Sequence, residues 1–168
     1  GKAGTPVIDF GYAVGTAKIA RQIDVLSGSE YRTALSKYNL TSGDYGGNVD
    51  AMDAIMRTGV TQNVNLSLSG GTENSRQRIS LSYLKERGIV EESELSKYTV
   101  GYTGNFRFLE NKKLGLDINI NTAQVREEVV PVTNNAGFQG SLIGQALQWN
   151  PTHPFKKTDG TFWIEPQF

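Results

Sequence analysis

Between Val60 and Gly70 apolar and polar side chains alternate residue by residue. Val64, Leu66 and Leu68 fall on one side, and Asn63, Asn65, Ser67 and Ser69 on the other. Successive side chains of a strand point to opposite faces, so this period of two predicts a strand with one apolar face. The rhythm returns from Arg76 to Arg87, with Ile79, Leu81 and Tyr83 against Arg78, Ser80 and Ser82. From Tyr98 to Phe108 it sets Tyr98, Val100, Tyr102, Phe106 and Phe108 against Thr99, Gly101, Thr103, Asn105 and Arg107. From Leu114 to Asn121 the alternation is complete, and an earlier run offers Ile8, Phe10, Tyr12 and Val14. Strands are therefore expected near 6–14, 60–70, 76–87, 97–109 and 113–123.

The connections differ in length. Gly70 to Ser75 and Glu110 to Lys113 carry the Gly, Asn and charged residues of tight hairpin turns. These turns predict sequential antiparallel pairing of the last four strands. A glutamate-rich loop spans roughly Gly88 to Ser96, and long connections follow the first and fifth strands. The long connections hold helical signals. Ser27 and Glu30 form a capping box ahead of Tyr31, Leu35 and Tyr38. Val49, Met52, Ile55 and Met56 suggest a second helix, and Leu142, Ile143, Ala146 and Leu147 a third. The expected helices are 28–38, 49–57 and 139–148, with a flexible stretch around Pro131 to Gly137. The fold class is thus mainly β: an antiparallel meander of long alternating strands with short helices in its long loops.

Two architectures share this pattern. A soluble antiparallel sheet, serving as a glycan- or protein-binding module, also alternates. A transmembrane β-barrel segment differs in detail, with strands of about 9–11 residues and short turns at one end opposed to long loops at the other. The polar faces here are mostly Ser, Asn, Thr and Gly rather than Lys and Glu, which favours the barrel. Tyr83, Tyr98 and Tyr102 suit interfacial anchoring, and equally suit cross-strand packing.

Composition changes this picture little. Seventeen basic and seventeen acidic residues cancel in 168, so bulk charge points to no nucleic-acid or anionic-membrane partner. The chain has no cysteine, which removes disulfides and thiolate chemistry. It shows no secretory signal and no apolar run long enough for a spanning helix, and a signal upstream of this segment is compatible with that.

No catalytic constellation or metal site emerges, and no cofactor is expected. His153 is the single histidine and reads as a loop residue in Pro151-Thr152-His153-Pro154. Asp50 and Asp53 read as a solvated helix face near its N-terminus, and Glu86, Glu91, Glu92 and Glu94 as a solvated loop run. Gly43, Gly46 and Gly47 lack the Lys-Ser/Thr of a phosphate loop and read as a flexible turn. Trp149 and Trp163 flank a polar loop and are the candidates for stacking on a sugar ring, with packing against the barrel or its filling as their competing use.

Several stretches resemble one family. Arg57-Thr58-Gly59, Gln62-Asn63 and Leu66-Ser67-Leu68-Ser69-Gly70-Gly71 are similar to the start of the barrel in SusC/RagA-family TonB-dependent receptors. Ile79 to Leu84 with Gly88-Ile89-Val90 resembles that family's next strand and loop. Ile23 to Ser27 with Glu30-Tyr31-Arg32 resembles a helix start, and Leu147 to Pro151 with Thr158-Asp159-Gly160 a later segment. One position departs: Ala51 stands where the family commonly has tryptophan. The resemblance implies that residues 1–168 are the N-terminal part of a barrel of about 22 strands, with the plug and most of the barrel outside this sequence. It implies an outer-membrane location among lipid and import of an oligosaccharide or peptide driven through TonB. It also implies a SusD-like lipoprotein as lid and no chemistry done on the substrate.

Overall fold

A computed structural model describes residues 4–109, 112–130 and 141–163. The chain forms two compact units, one from Gly1–Lys18 with Thr58–Val129 and the other from Ile19–Arg57 with Val130–Phe168.

The first unit is a five-stranded sheet of β1 (Gly4–Ala17), β2 (Gly59–Gly71), β3 (Ser75–Arg87), β4 (Glu94–Phe108) and β5 (Leu114–Glu128). All neighbours pair antiparallel in sequence order. The register turns each strand's alternation into rows, because directly opposed residues share a face. Phe10, Leu66, Leu81 and Val100 lie side by side. Ile8, Leu68, Ile79, Tyr102 and Ile120 form the adjacent row, and Tyr12, Val64, Tyr83 and Tyr98 the next. The reverse face carries Asp9, Ser67, Ser80, Gly101 and Asn121 in one row.

Burial on this sheet is inverted relative to a water-soluble domain. Phe10 is 69% exposed, Leu66 39% and Leu81 44%, whereas Ser67 on the polar face is 7% exposed. The buried hydrophobic side chains among the described residues are Met52 and Ala146, both in the other unit. The sheet is therefore held by its hydrogen-bonded ladders and cross-strand pairs rather than by an apolar core. The Tyr83 and Tyr98 rings, for example, stack with centroids 4.8 Å apart. Such a pair contributes about 0.5–1.5 kcal/mol beyond its area.

The strands run longer than their apolar rhythm. β5 continues to Glu128 through Thr122, Gln124 and Arg126, which lie on the same face as Ile120 but are polar, so the hydrophobic signal stops before the ladder does. β1 extends through Gly15, Thr16 and Ala17 for the same reason. The glutamate-rich loop is shorter than expected. Glu94 opens β4 and takes ion pairs from Arg87 at 3.2 Å and Lys85 at 3.7 Å, so it is not a solvated loop residue. The β2–β3 turn is closed by the Thr72 N–H donating to the Ser75 carbonyl at 2.6 Å. Gly71 sits there at φ +153°, where a Cβ would strike the Ser75 carbonyl. Residues 110 and 111 of the other expected turn lie outside the described residues, as does the 131–137 stretch.

Ala17, Gly59, Arg87, Glu94 and Glu128 all fall at one end of the sheet. The long connections leave from that end, and the short turns occupy the other.

The second unit holds α1 (Gly28–Lys37), α2 (Ala51–Ile55) and α3 (Leu142–Gln148). The capping box forms as expected: the Glu30 N–H donates to Ser27 Oγ at 3.4 Å, and the Ser27 N–H to Glu30 Oε2 at 2.9 Å. α1 ends in a Schellman turn, with Asn39 at φ 54° and the Leu40 N–H bonded to the Leu35 carbonyl. α2 is shorter than 49–57, because the Val49 N–H donates to the Pro151 carbonyl and Asp50 becomes the cap, accepting from the Asp53 N–H at 3.0 Å. α3 begins at Leu142, and the expected residues 139 and 140 lie outside the described residues.

Candidate functional site

The helical unit is organised around one hydroxyl. Thr152 is fully buried, and its Oγ1 accepts from the Tyr45 N–H at 3.1 Å while donating toward Asn150 Oδ1 at 2.8 Å, with the Gly43 carbonyl at 3.2 Å. The Asn150 amide donates to the Gly43 carbonyl at 2.8 Å and to Tyr31 Oη at 3.3 Å. The Gly47 N–H donates to the Thr152 carbonyl at 2.7 Å. A Cβ on Gly47 would lie 2.7 Å from that same oxygen, so glycine is needed for the approach. Of the glycines expected to form a turn, Gly43 and Gly46 take positive φ and Gly47 packs against the Thr152 carbonyl. Arg32 completes the frame. Its guanidinium donates to both carboxylate oxygens of Asp44, at 2.9 and 3.2 Å, and to the Gly47 carbonyl at 2.6 Å. The hydrogen bond from Arg32, then that from the Gly46 N–H, holds the Asp44 carboxyl below its ordinary pKa.

This frame presents an aromatic cluster centred on His153. Tyr45 meets the imidazole edge-on with centroids 4.5 Å apart, Trp163 at 4.8 Å and Trp149 at 5.4 Å. The Trp149 indole N–H donates to the His153 carbonyl at 2.8 Å, and its ring tilts against Phe155. A recess of about 330 Å³ opens beside the cluster, lined by Tyr45, Gln145, Gln148, Trp149, Asn150 and His153. Its lining holds aromatic rings and amides and no carboxylate or ammonium group, which suits a neutral ring with hydroxyl or amide groups.

Trp149 and Trp163 are therefore brought together through His153, whose ring both of them meet. His153 lies in a loop, as expected, and is also the hub of the cluster, a role the sequence reading missed along with Tyr45. The Pro151-Thr152-His153-Pro154 run was the available signal. Trp163 follows a small hairpin in which Lys156 bridges to Phe162 and Asp159 Oδ1 accepts from the Thr161 N–H and hydroxyl at 2.9 and 2.6 Å.

The sheet's polar face carries a second recess, of about 530 Å³, beside Asp9, Ser67, Arg78 and Ser80. Ser67 Oγ donates to Asp9 Oδ2 and accepts from Arg78 Nη2, both at 3.3 Å. Among the described residues no group of three His, Asp or Glu gathers as a metal site, and no helix is long and apolar enough to cross a membrane. The latter says nothing of strands.

An antiparallel meander with an exposed apolar face, a polar reverse face and its longest connections at one end has the pattern of a segment of transmembrane β-barrel wall. No family model matches the chain. It is 32% identical over 158 residues to the TonB-dependent receptor SusC of Bacteroides thetaiotaomicron, a match covering 92% of this chain and 15% of that protein. It is 26% identical over 165 residues to TonB-dependent receptor P3 of Formosa agariphila, covering 98% of this chain and 16% of that one. A solved structure of the RagAB peptide transporter superposes with TM-score 0.71 at 16% identity, over 99% of this chain and 23% of the other. The chain belongs to the SusC/RagA family of TonB-dependent receptors. It spans about 15% of the length of the curated relatives it matches.

Proposed function

We propose that this chain is the N-terminal part of the barrel wall of an outer-membrane receptor that imports an oligosaccharide or peptide, energised through TonB and lidded by a SusD-like lipoprotein. The observation that carries this reading is the inverted sheet, whose apolar rows are exposed while a serine on the polar face is buried. Apolar rows of that kind suit lipid, and the polar reverse suits a lumen. The likeness to the TonB-dependent receptor SusC supports coupling through TonB, and the RagAB neighbours are titled as peptide importers. On this reading the wall binds and passes its substrate without chemical change. Trp149 and Trp163 are the substrate-contact candidates, with Tyr45 and His153 holding them, and the uncharged recess suits a saccharide ring better than an ionic ligand.

Site-directed labelling of the full-length receptor in cells tests the wall. Cysteines replacing Leu66, Leu81 or Ile118 are expected to react with a bilayer-soluble thiol reagent. Those replacing Ser80 or Asn119 are expected to react only with water-soluble reagents. Equal labelling of the two sets would point to a soluble glycan- or protein-binding sheet and sink the transport reading.

A further inference from the structure

Trp149 borders two recesses: the one beside His153 and another of about 350 Å³ within the same helical unit. Gln145, Gln148 and Asn150 line the first, whereas Ala146 and Pro151 line the second. Local structure makes this division. Ala146 lies round α3 from Gln145 and Gln148, at a helix's 3.6 residues per turn. Trp149 then leaves the helix in extended backbone, at φ −61° and ψ 133°. Neighbouring side chains alternate in an extended chain, which puts Asn150 and Pro151 in different recesses.

The second recess has its own chemistry. Val25, Leu26, Val49, Ala51 and Ala146 give it an aliphatic wall, in which Val25 and Leu26 stand half exposed. The small side chains of Ala51 and Ala146, on α2 and α3, leave the hollow open. Two of its polar groups are already used as helix caps: Ser27 Oγ bonds with Glu30, and the Asp50 carboxylate accepts from the Asp53 N–H. Asn48 differs. Its side-chain amide makes no hydrogen bond among the described residues. It is nonetheless held close over Gly28, where a Cβ would strike Asn48 Oδ1. An amide set beside a bare aliphatic wall offers a ligand both donors and an acceptor.

We propose that this recess takes an N-acetylated hexose and recognises its acetamido group, while an adjoining sugar ring lies in the His153 recess. This rests on the saccharide reading above and deepens it by naming the substituent that is read. An acetamido group is neutral, ends in a methyl, and carries one amide donor and one acceptor. The methyl lies against Val49, Ala51 and Ala146, and the amide pairs with Asn48. A plain hydroxyl at that position leaves the aliphatic wall uncovered, and an acidic sugar meets the Asp50 carboxylate. The volume is that of a small-ligand pocket, for which about 300 Å³ is the lower bound.

The test uses the full-length receptor, purified as its intact outer-membrane assembly in a detergent that carries no sugar. The probes are N-acetylglucosamine and N-acetylgalactosamine, each against its plain hexose and its free-amine form, with acetyl-dialanine amide as a peptide control. Saturation-transfer NMR reads which protons touch the protein, and competition gives the affinities. The acetyl methyl should take up the most saturation. At least one N-acetylhexose should bind about 10- to 40-fold more tightly than its plain counterpart, the worth of one buried methyl and one amide hydrogen bond. Ala51→Leu, which fills the recess, should bring that ratio close to one. Asn48→Leu, which removes only the amide, should leave about fourfold, the part due to the methyl. Equal affinity for acetylated and plain hexoses, or a preference for the free amine, would overturn this proposal and leave the saccharide reading standing. Binding of no sugar at all would overturn both. Tighter binding of the peptide than of any sugar, lost in Ala51→Leu, would give the recess to a peptide side chain and overturn the proposal. A preference retained in both variants would place the acetyl contact elsewhere and overturn it as well. The wild-type comparison decides the matter even if a variant fails to assemble.

Discussion

Replacing Thr152 with valine keeps the shape of a fully buried side chain and deletes only its hydroxyl. The Tyr45 N–H, 3.1 Å from Thr152 Oγ1 in a part-buried hydrogen bond, then loses its acceptor, while the Tyr45 residue itself is 58% exposed. Asn150 Oδ1 is less affected, because it still accepts from the Thr152 N–H at 2.9 Å. One orphaned backbone donor costs about 1–3 kcal/mol. Serine at the same position keeps the hydroxyl and removes one methyl, costing roughly 0.8 kcal/mol. Hydrogen exchange in the full-length receptor reads the difference at the Gly47 and Val49 amides, which bond to the Thr152 and Pro151 carbonyls. If those amides exchange through opening of this loop pair, valine should accelerate them by about 5- to 150-fold, at one decade per 1.36 kcal/mol. Serine should accelerate them by about fourfold. The reverse order, with serine worse than valine, would mean that packing rather than the hydroxyl holds the loops, and the hydrogen-bond argument would be wrong.

Gly104 on β4 lies where a Cβ would come within 2.7 Å of Tyr102 Oη and 2.8 Å of Phe106 Cε2. Gly104→Val should push Tyr102 off Gln77, whose Oε1 it reaches at 3.3 Å, and lower the heat-modification temperature of the assembled barrel, while Tyr102→Phe should reproduce only the lost hydrogen bond. The Arg32–Asp44 clamp should persist in mild acid. A carboxyl whose folded pKa is depressed contributes stability that is fully present above its ordinary value of 3.8 and is lost as pH falls through the lower folded value. Exchange of the Gly46 amide, which donates to Asp44 Oδ1, should therefore rise only below pH 3.8 once intrinsic rates are divided out, and Asp44→Asn should abolish that step.

The strands were legible because each carries a one-face record of its surroundings. Leu114, Leu116, Ile118 and Ile120 report an apolar side regardless of whether lipid or core lies against it. The same property hid the strand ends, where Thr122, Gln124 and Arg126 keep the ladder but not the hydrophobicity. It also left open which face of the sheet is covered, and the structure has Ser67 buried and Phe10 bare. The capping box at Ser27 was readable because its partners stand three residues apart. The Thr152 frame was not, since its partners Gly43 and Tyr45 lie more than a hundred residues earlier and irregular loops leave no period. The two tryptophans were noticed for their chemistry, but only His153 explains why they meet.

The unequal connections also set an order of assembly. Three residues, 72–74, join β2 to β3, whereas 41 residues, 18–58, separate β1 from β2. Closing the longer loop costs about 2.3 kcal/mol more chain entropy than closing the shorter. The β2–β3 hairpin should therefore form early and template β4 and β5 in turn. β1 should zip on late, after the connection that leads from it has drawn its ends together. The first strand in sequence then becomes the last of these five in time, and the β1–β2 ladder the place where a half-formed wall stays open longest.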